Sequence, residues 1–323
     1  MHVKLVAALL CLVAVVAGAG AGAGAVLTRH DLTPAAFAPM PHVRSRAADP
    51  RGHFVRPRKV ALMILENRSY EQIIGNRAAP FLNRLARHNA LETRTYAIAH
   101  PSLPNYIALT GGSPGEIHND CASCDTEATN FVDQLDGANV SWRAYFQSIP
   151  ATGSPTIRKG NYSAHYNPFT YFARTRARAI NRDRIVSFTR LHRDLSGRGL
   201  PRFSWISPDL GHDGHNNSVA STDRYASRLI PRIRRALGPH GLLYVTWDEG
   251  KRSDHRGLVG VGGGRIPLIA AGPLARHHAT SARRVNQYAL LRSLEAGFGL
   301  NTLGNAGLHS TPLLTGLITR PGA

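Results

Sequence analysis

The chain has 323 residues, of which 43% are hydrophobic and 18% charged, a balance that excludes a disordered or collagen-like protein. Lysine and arginine number 39 against 20 aspartate and glutamate residues, so the formal net charge is +19. The arginines are scattered along the chain. We therefore interpret the charge as a diffuse positive field that favours anionic substrates and electrostatic contact with anionic surfaces, without a specific nucleic-acid site.

The first 25 residues have the pattern of a secretory signal peptide. A basic start at Lys4 precedes the apolar run Leu5–Val16 and a string of alanine and glycine. Because the run is short for a membrane anchor, we expect cleavage near Ala23 or Ala25, export from the cell and no stable membrane anchor afterwards. Residues 26–57 are rich in proline, arginine and histidine without periodicity, which predicts a flexible N-terminal arm.

Two cysteines remain after the predicted cleavage. Cys11 leaves with the signal peptide, while Cys121 and Cys124 lie in a polar loop. In an exported protein such a close pair is most simply a local disulfide, whereas a redox motif is expected between a strand and a helix.

Strands and helices alternate along the rest of the chain. Apolar runs of strand length and amphipathic patterns predict the elements. In chain order they are strand Val60–Leu65, helix Pro80–Leu91, strands Thr93–Ala99, Val140–Phe146 and Phe203–Ser207, helix Ser221–Leu237, strands Gly241–Trp247 and Ile266–Ala271, and helix Asn286–Phe298, with residues 147–172 as an irregular loop. The alternation predicts an α/β fold with a mostly parallel central sheet and helices on both faces.

Acidic and amide side chains follow two of the predicted strands directly. Glu66 and Asn67 come after the first strand, and Asp248 and Glu249 come after the strand that ends at Trp247. Parallel strands end at one edge of the sheet, so these groups are expected to meet there. With His212, His215 and His255 they offer ligands for a divalent cation. The alternative is that they only begin the next segments.

Ser102 lies in the segment His100–Tyr106, directly before a predicted helix. Pro104 suits the first turn of that helix, which places Ser102 at or beside its N-terminus, where backbone N–H groups are free. Ser102 is then either a capping residue or a nucleophile. A cation beside it would lower the pKa of its hydroxyl and suit phosphoryl transfer through a phosphoserine, with a histidine protonating the leaving oxygen.

These segments, in this order, resemble the bacterial phosphoesterase family of acid phosphatases and phospholipases C, in the alkaline-phosphatase-like superfamily. The motifs are Glu66–Tyr70, His100–Tyr106, Asp213–His215, Asp248-Glu249 and Asp254-His255. The chain looks most like the secreted acid phosphatase branch, some of whose members dephosphorylate phosphoinositides. Residues 58–323 would then form the catalytic domain.

The resemblance implies a role for each matching residue. Glu66, Asn67, Asp248 and Glu249 would bind the divalent metal, Ser102 would be the nucleophile, and His215 would lie near the phosphate. Independently of the resemblance, His215 and His255 are the catalytic candidates for protonating the leaving oxygen. His100, Asn105, His165 and His212 are expected to contact the substrate. His165 lies in a segment similar to the family's His-Asn-Pro-Phe element, with one residue inserted.

The predicted function is a secreted, metal-dependent phosphomonoesterase that acts on phosphoinositides or other organic phosphates. Two alternatives stay open. One is a phosphodiesterase of the phospholipase C type, although the C-terminal lipid-binding extension of many such enzymes is missing. The other is a non-catalytic, basic, exported protein that binds polyanions.

Overall fold

A mostly parallel sheet forms the centre of the computed structural model, which describes residues 45–50, 52, 54–151 and 158–319. The predicted signal peptide and residues 26–44 of the predicted arm lie outside the described residues. The strands are β1 Lys59–Leu65, β2 Ala90–Tyr96, β3 Trp142–Phe146, β4 Arg158–Lys159, β5 Tyr162–Ser163, β6 Ile185–Ser187, β7 Phe203–Ser207, β8 Gly241–Trp247, β9 Arg265–Ala271, β10 Ala279–Ser281 and β11 Val285–Asn286.

Helices connect several of these strands. They are α1 Tyr70–Ile73, α2 Pro80–His88, α3 Ser102–Gly111, α4 Phe131–Gly137, α5 Ala173–Ala177, α6 Ala179–Arg182, α7 Phe188–Arg193, α8 Val219–Leu237 and α9 Gln287–Phe298. Among the described residues, no helix is both long and apolar enough to cross a bilayer.

The described strands form a nine-stranded sheet in the order β10-β2-β9-β8-β1-β7-β3-β6, with β11 also paired to β2, and a separate hairpin of β4 and β5. β1 pairs in parallel with β7 and with β8, and β3 pairs in parallel with β7. Only β9 is antiparallel to its neighbours β8 and β2 among the described pairs of this sheet. Two reversals cancel, so β2 runs in the same direction as β1, β7 and β8.

Helices cover both faces of the sheet. Alternate residues of β1 point to opposite faces, and the apolar side chains on each face pack against helices. Val60, Leu62 and Ile64 pack in one cluster with α3, α4 and α9. Ala61, Met63 and Leu65 pack in a second cluster with α2 and α8. A strand that is buried on both faces reads as a continuous apolar run. The predicted α/β fold, with helices on both faces of a mostly parallel sheet, is therefore confirmed.

The element boundaries differ from the prediction mainly around α2 and β2. The predicted helix Pro80–Leu91 ends at His88, because Ala90 and Leu91 already pair with β9. The amide of Asn89 donates to the Leu85 carbonyl, 2.9 Å away, and ends the helix. Residues 147–172 were expected to be irregular throughout, but the described part includes the β4–β5 hairpin and buried aromatic side chains, among them Tyr162 and Phe169.

Packing begins on the N-terminal side of Lys59. Ala48 and Phe54 are buried in the core, and the Ala48 N–H donates to the Leu300 carbonyl at 3.0 Å. These two apolar side chains pack in the same core cluster as residues of α9, so this part of the predicted arm belongs to the folded domain. Cys121 and Cys124 form a disulfide.

Candidate functional site

The candidate site lies where four parallel strands end at one edge of the sheet. The loops after β1, β7 and β8 carry Glu66, Asp213 and Asp248, and the loop after β2 leads to Ser102 at the start of α3. The loops are joined by backbone hydrogen bonds. The Glu66 N–H donates to the Asp213 carbonyl at 2.9 Å, and the Asp248 N–H donates to the Leu65 carbonyl at 3.0 Å. Residues far apart in sequence thus share one edge, as expected for an open α/β sheet.

Three carboxyl groups are buried together at this edge. Glu66, Asp213 and Asp248 are at most 3% exposed. Burial, followed by the charges of Asp248 and Asp213, raises the pKa of Glu66 well above its ordinary value. Burial raises the pKa of Asp213 to about 8 and that of Asp248 to about 6. Burial is the first cause of each shift, and neighbouring carboxylates add to it for Glu66 and Asp213.

Asn67 and His100 connect Glu249 to this cluster. The Asn67 N–H donates to Asp248 Oδ1 at 3.0 Å, and its Nδ2 donates to Glu249 Oε1 at 2.6 Å. Asn67 adopts a left-handed backbone with φ of 52°, a conformation that asparagine tolerates well. This turn lets one residue present its backbone and its side chain to two neighbouring carboxylates.

His100 has an acceptor at each ring nitrogen. Nδ1 lies 2.7 Å from Glu249 Oε2, and Nε2–H donates to the Asp254 carbonyl at 2.9 Å. Burial alone would lower the pKa of His100, but the hydrogen bond to Glu249 and the charge of that carboxylate raise the pKa above its ordinary value. Burial raises the pKa of Glu249 to about 7, against the effect of His100. His100 therefore contacts a predicted metal ligand directly.

Ser102 is the first residue of α3 and is 6% exposed. Its hydroxyl donates to Glu66 Oε2 at 3.3 Å. One turn further on, the Tyr106 hydroxyl donates to Glu66 Oε1. The same buried carboxylate thus receives two hydroxyl groups from one helix, and it sets the direction in which Ser102 Oγ points.

Asn105 holds the loop that leads to Ser102. Its Oδ1 accepts from the N–H groups of Ile98 and Ala99 at 2.9 and 3.0 Å, and its Nδ2 donates to the carbonyls of Ala99 and Pro101 at 2.8 and 3.0 Å. Asn105 is fully buried. Both ends of its side chain are bonded to backbone groups, so Asn105 supports the loop before Ser102. The predicted contact of Asn105 with the substrate stays a prediction.

Each of the other predicted histidines has its own set of contacts. His165 Nδ1 lies 3.7 Å from Asp120 Oδ2. His212 Nδ1 lies 2.8 Å from Asp209 Oδ1, and its ring stacks on Tyr225. His215 is exposed, and its backbone N–H donates to Asp213 Oδ1 at 2.8 Å. The His255 ring meets the edge of His100 with 5.4 Å between ring centres. Of the predicted histidines, His100 has the direct side-chain contact with a buried carboxylate of the cluster.

The donor atoms fit a divalent cation. Asn67 Oδ1, Asp213 Oδ2 and Asp248 Oδ2 are buried without a hydrogen-bond partner in the described part of the chain. Carboxylate and amide oxygens are the ligands that hard cations prefer, and a cation would neutralise the charges that raise these pKa values. In the described ranges, no three His, Cys, Asp or Glu side chains are already spaced to hold an ion. The fit therefore rests on the chemistry of the unpaired oxygens.

Sequence reasoning missed Asp213 and Tyr106 as members of the site. Asp213 belongs to the Asp213–His215 motif, and residues 208–212 separate it from the end of β7, whereas Asp248 directly follows β8. Its place in a polar segment after a predicted strand was the available signal. Tyr106 looked like one of the apolar residues of α3, and only its position one turn after Ser102 could have indicated a shared partner.

Comparisons with known proteins identify the family to which the chain belongs. The phosphoesterase family matches residues 76–301. The chain is 30% identical over 249 residues to a phosphatidylinositol-3-phosphatase of Mycobacterium tuberculosis, across 76% of this chain and 79% of that protein. It is 26% identical over 233 residues to a phosphate-repressible acid phosphatase of Penicillium chrysogenum, across 69% of this chain. That match covers 55% of the fungal protein, so the chain spans about half of its length.

The fold is similar to a solved structure from Vibrio parahaemolyticus described as a protein of the alkaline phosphatase superfamily. The TM-score is 0.57 with 14% sequence identity, and the match covers 85% of this chain and 72% of that chain. At this identity the likeness shows the architecture, which agrees with the predicted alkaline-phosphatase-like fold. The family match spans the loops after β2, β7 and β8, and it indicates a hydrolase of phosphoric ester bonds. The chain belongs to the phosphoesterase family.

Proposed function

We propose that this chain is an exported, divalent-cation-dependent phosphomonoesterase that works through a phosphoserine at Ser102. The observation that carries the proposal is the hydrogen bond from Ser102 Oγ to Glu66, inside a cluster of buried carboxyl groups at the end of the sheet. A serine that only capped its helix would need no such surroundings. The family assignment supports hydrolysis of a phosphoric ester.

The residues of the chain divide the task among them. Glu66 accepts the hydrogen bond of Ser102 and so orients its Oγ toward phosphorus. The Ser102 hydroxyl releases its proton to water as its O–P bond forms and the ester P–O bond breaks. The leaving alcohol takes a proton from a histidine, for which His215 and His255 are the candidates. Water then cleaves the phosphoserine, which releases inorganic phosphate and restores Ser102.

Glu66, Asn67, Asp248 and Glu249, joined by Asp213, would hold the cation. When bound, it would supply positive charge to the phosphoryl oxygens and lower the pKa of the Ser102 hydroxyl. Asn67 and His100 keep Glu249 in place through their hydrogen bonds of 2.6 and 2.7 Å. The N-terminal end of the α3 dipole adds a partial positive charge beside Ser102.

A monoester substrate is favoured by the relatives. One is named a phosphatidylinositol-3-phosphatase and another an acid phosphatase, and both names describe removal of a terminal phosphate. Phosphoinositides and other organic phosphates are therefore the proposed substrates. Family membership speaks against the alternative of a non-catalytic polyanion binder. Comparing nitrophenyl phosphate with nitrophenyl phosphorylcholine separates the monoesterase from a phospholipase C-type diesterase, since the latter would prefer the choline diester.

The nucleophile is tested with Ser102→Ala. We expect kcat for nitrophenyl phosphate to fall by about 10³-fold or more, with an unchanged circular dichroism spectrum. Ser113→Ala, a serine just beyond the end of α3, is the matched control and should keep full activity. Acid quenching during turnover should trap one phosphoryl group on the wild-type chain and none on Ser102→Ala. Full activity in purified Ser102→Ala would overturn the assignment.

A further inference from the structure

We propose that Asp120 is a positioning residue that joins the start of α3 to His165 and so fixes how far His165 lies from Ser102. Nothing in the sequence motifs singles out Asp120. The inference rests on the proposed function, because it assigns a task within the same site. It follows from two contacts that the two carboxylate oxygens of Asp120 make in different directions.

The first contact is with the nucleophile helix. Asp120 Oδ1 accepts from the Leu103 N–H at 2.9 Å, and Leu103 directly follows Ser102. The residue that precedes α3 is Pro101, which has no side-chain acceptor to cap the helix. Asp120 supplies that acceptor from a separate loop, and its negative charge suits the positive end of the helix. Its first oxygen is thereby fixed next to Ser102.

The second contact is with His165. Asp120 Oδ2 lies 3.7 Å from His165 Nδ1, and the two side chains are 32% and 31% exposed. An ion pair at this distance and exposure adds little to the free energy of unfolding. Its contribution would instead be to position the imidazole ring of His165. Asp120 therefore contacts the nucleophile helix through one oxygen and faces His165 through the other.

The loop that carries Asp120 is tied to the segment that carries His165. Cys121 directly follows Asp120 and is bonded to Cys124, and both cysteines pack against the core. Further along, the Thr126 N–H donates to the Tyr171 carbonyl at 2.9 Å, and the Ala173 N–H donates to the Thr126 carbonyl at 3.0 Å. Asp120 and His165 are therefore carried by two segments that are hydrogen-bonded to each other.

The test is a double-mutant cycle on kcat/KM for nitrophenyl phosphate. Asp120→Asn keeps an oxygen for the Leu103 N–H and removes the charge that faces His165. We expect it to lower kcat/KM by about 10-fold in the wild-type background and by less than about 2-fold in a His165→Asn background, as for residues that act as a unit. Asp125→Asn is the control, because Asp125 is exposed in the same loop and pairs with Arg176; it should change kcat/KM by less than about 2-fold.

Asp120→Ala removes both contacts and should also lower the melting temperature, which separates the capping role from the role toward His165. If Asp120→Asn does not fold, Asp120→Glu serves in the same cycle, since it keeps the charge but moves it by one methylene. Effects of the Asp120 and His165 changes that simply multiply would overturn the proposal, and so would an unchanged kcat/KM in Asp120→Asn. Failure of the nucleophile assignment would appear separately, as full activity in Ser102→Ala.

Discussion

Glu66 accepts hydrogen bonds from two hydroxyl groups of α3, those of Ser102 and Tyr106. The Tyr106 ring lies in the apolar core, and its hydroxyl donates a hydrogen bond to the Glu66 carboxylate. Burial, followed by the charges of Glu66 and Asp248, raises the pKa of Tyr106, so the phenol stays protonated and remains a donor. Without that donor, Glu66 would be free to turn away from the position in which it receives Ser102.

Tyr106→Phe removes the donor and leaves the aromatic ring in the core. We expect kcat/KM to fall by about 10-fold and the free energy of unfolding to fall by about 1–2 kcal/mol. Tyr244→Phe is the matched control, because the Tyr244 hydroxyl is buried without a partner in the described ranges, so its loss should leave both quantities nearly unchanged. Steady-state kinetics and urea denaturation measure the two effects. Similar kinetics in both variants would contradict the role given to Tyr106.

At the level of residues, the sequence predicts candidate metal ligands that directly follow strands better than it predicts residues that join the site through tertiary contacts. Glu66 and Asp248 directly follow apolar runs, so their place at the end of a strand could be inferred. Asp213 is separated from the end of β7 by a loop, and the contact between Tyr106 and Glu66 exists only once α3 packs on β1. Such contacts depend on tertiary packing, which the spacing of residues along the chain does not contain.

Among the elements, α9 links two loops of the site through its first residue. Gln287 Nε2 donates to the Asp248 carbonyl at 2.5 Å, and its Oε1 accepts from the Ile98 N–H at 3.1 Å. The loop after β8 carries the metal-ligand candidates, and the loop after β2 leads to Ser102. One side chain at the start of a buried helix therefore sets the spacing between the nucleophile and the carboxylates.

Gln287→Ala should lower the free energy of unfolding by about 1–3 kcal/mol, because it removes the side-chain donor to the buried Asp248 carbonyl, and it should also lower kcat/KM. Gln134→Ala is a control of the same chemistry, since Gln134 donates to the Asn301 carbonyl at 2.7 Å, a contact outside the four loops of the site. It is expected to lose stability while kcat/KM stays constant. Chemical denaturation and kinetics on both variants check this, and unchanged kinetics in Gln287→Ala would count against the link.

Elements with long apolar runs were predicted well, and short ones were not. β7 and β8 occupy the predicted residues, because strands buried on both faces leave a continuous apolar pattern. The boundary between α2 and β2 shifted, since Ala90 and Leu91 suit either element and pairing with β9 decided between them. The helices of four to seven residues between β2 and β7 are too short to show a helical period, which explains why they were not predicted.

For the whole molecule, the buried carboxyl groups make stability depend on pH. In the folded state the pKa values of Asp213, Glu249 and Asp248 are about 8, 7 and 6. In the unfolded chain such groups lose their protons near pH 4, so between about pH 4 and pH 8 the folded state binds more protons than the unfolded state. Without a cation, the free energy of unfolding should therefore fall as pH rises through this window.

Urea denaturation in EDTA at pH 5 and pH 8 measures this trend. A divalent cation should restore stability mainly at pH 8, because it binds the deprotonated carboxylates. Asp248→Asn should flatten the pH dependence, since it removes one of the titrating groups. The lowered pKa of Asp254 acts in the opposite direction, but only below about pH 4, where an ordinary carboxyl group titrates. Stability that rises from pH 5 to pH 8 in EDTA would contradict the expectation.

The contacts that build the site join distant parts of the chain. Asn67 meets Asp248 and Glu249 across 181 and 182 residues, and His100 meets Glu249 across 149. No fragment that lacks either half of the sheet could bring these groups together, and contacts of such long range tend to form late and slowly during folding. Enzyme activity is then a reporter of completed folding: recovery of turnover should lag behind recovery of helical signal when the denatured chain refolds.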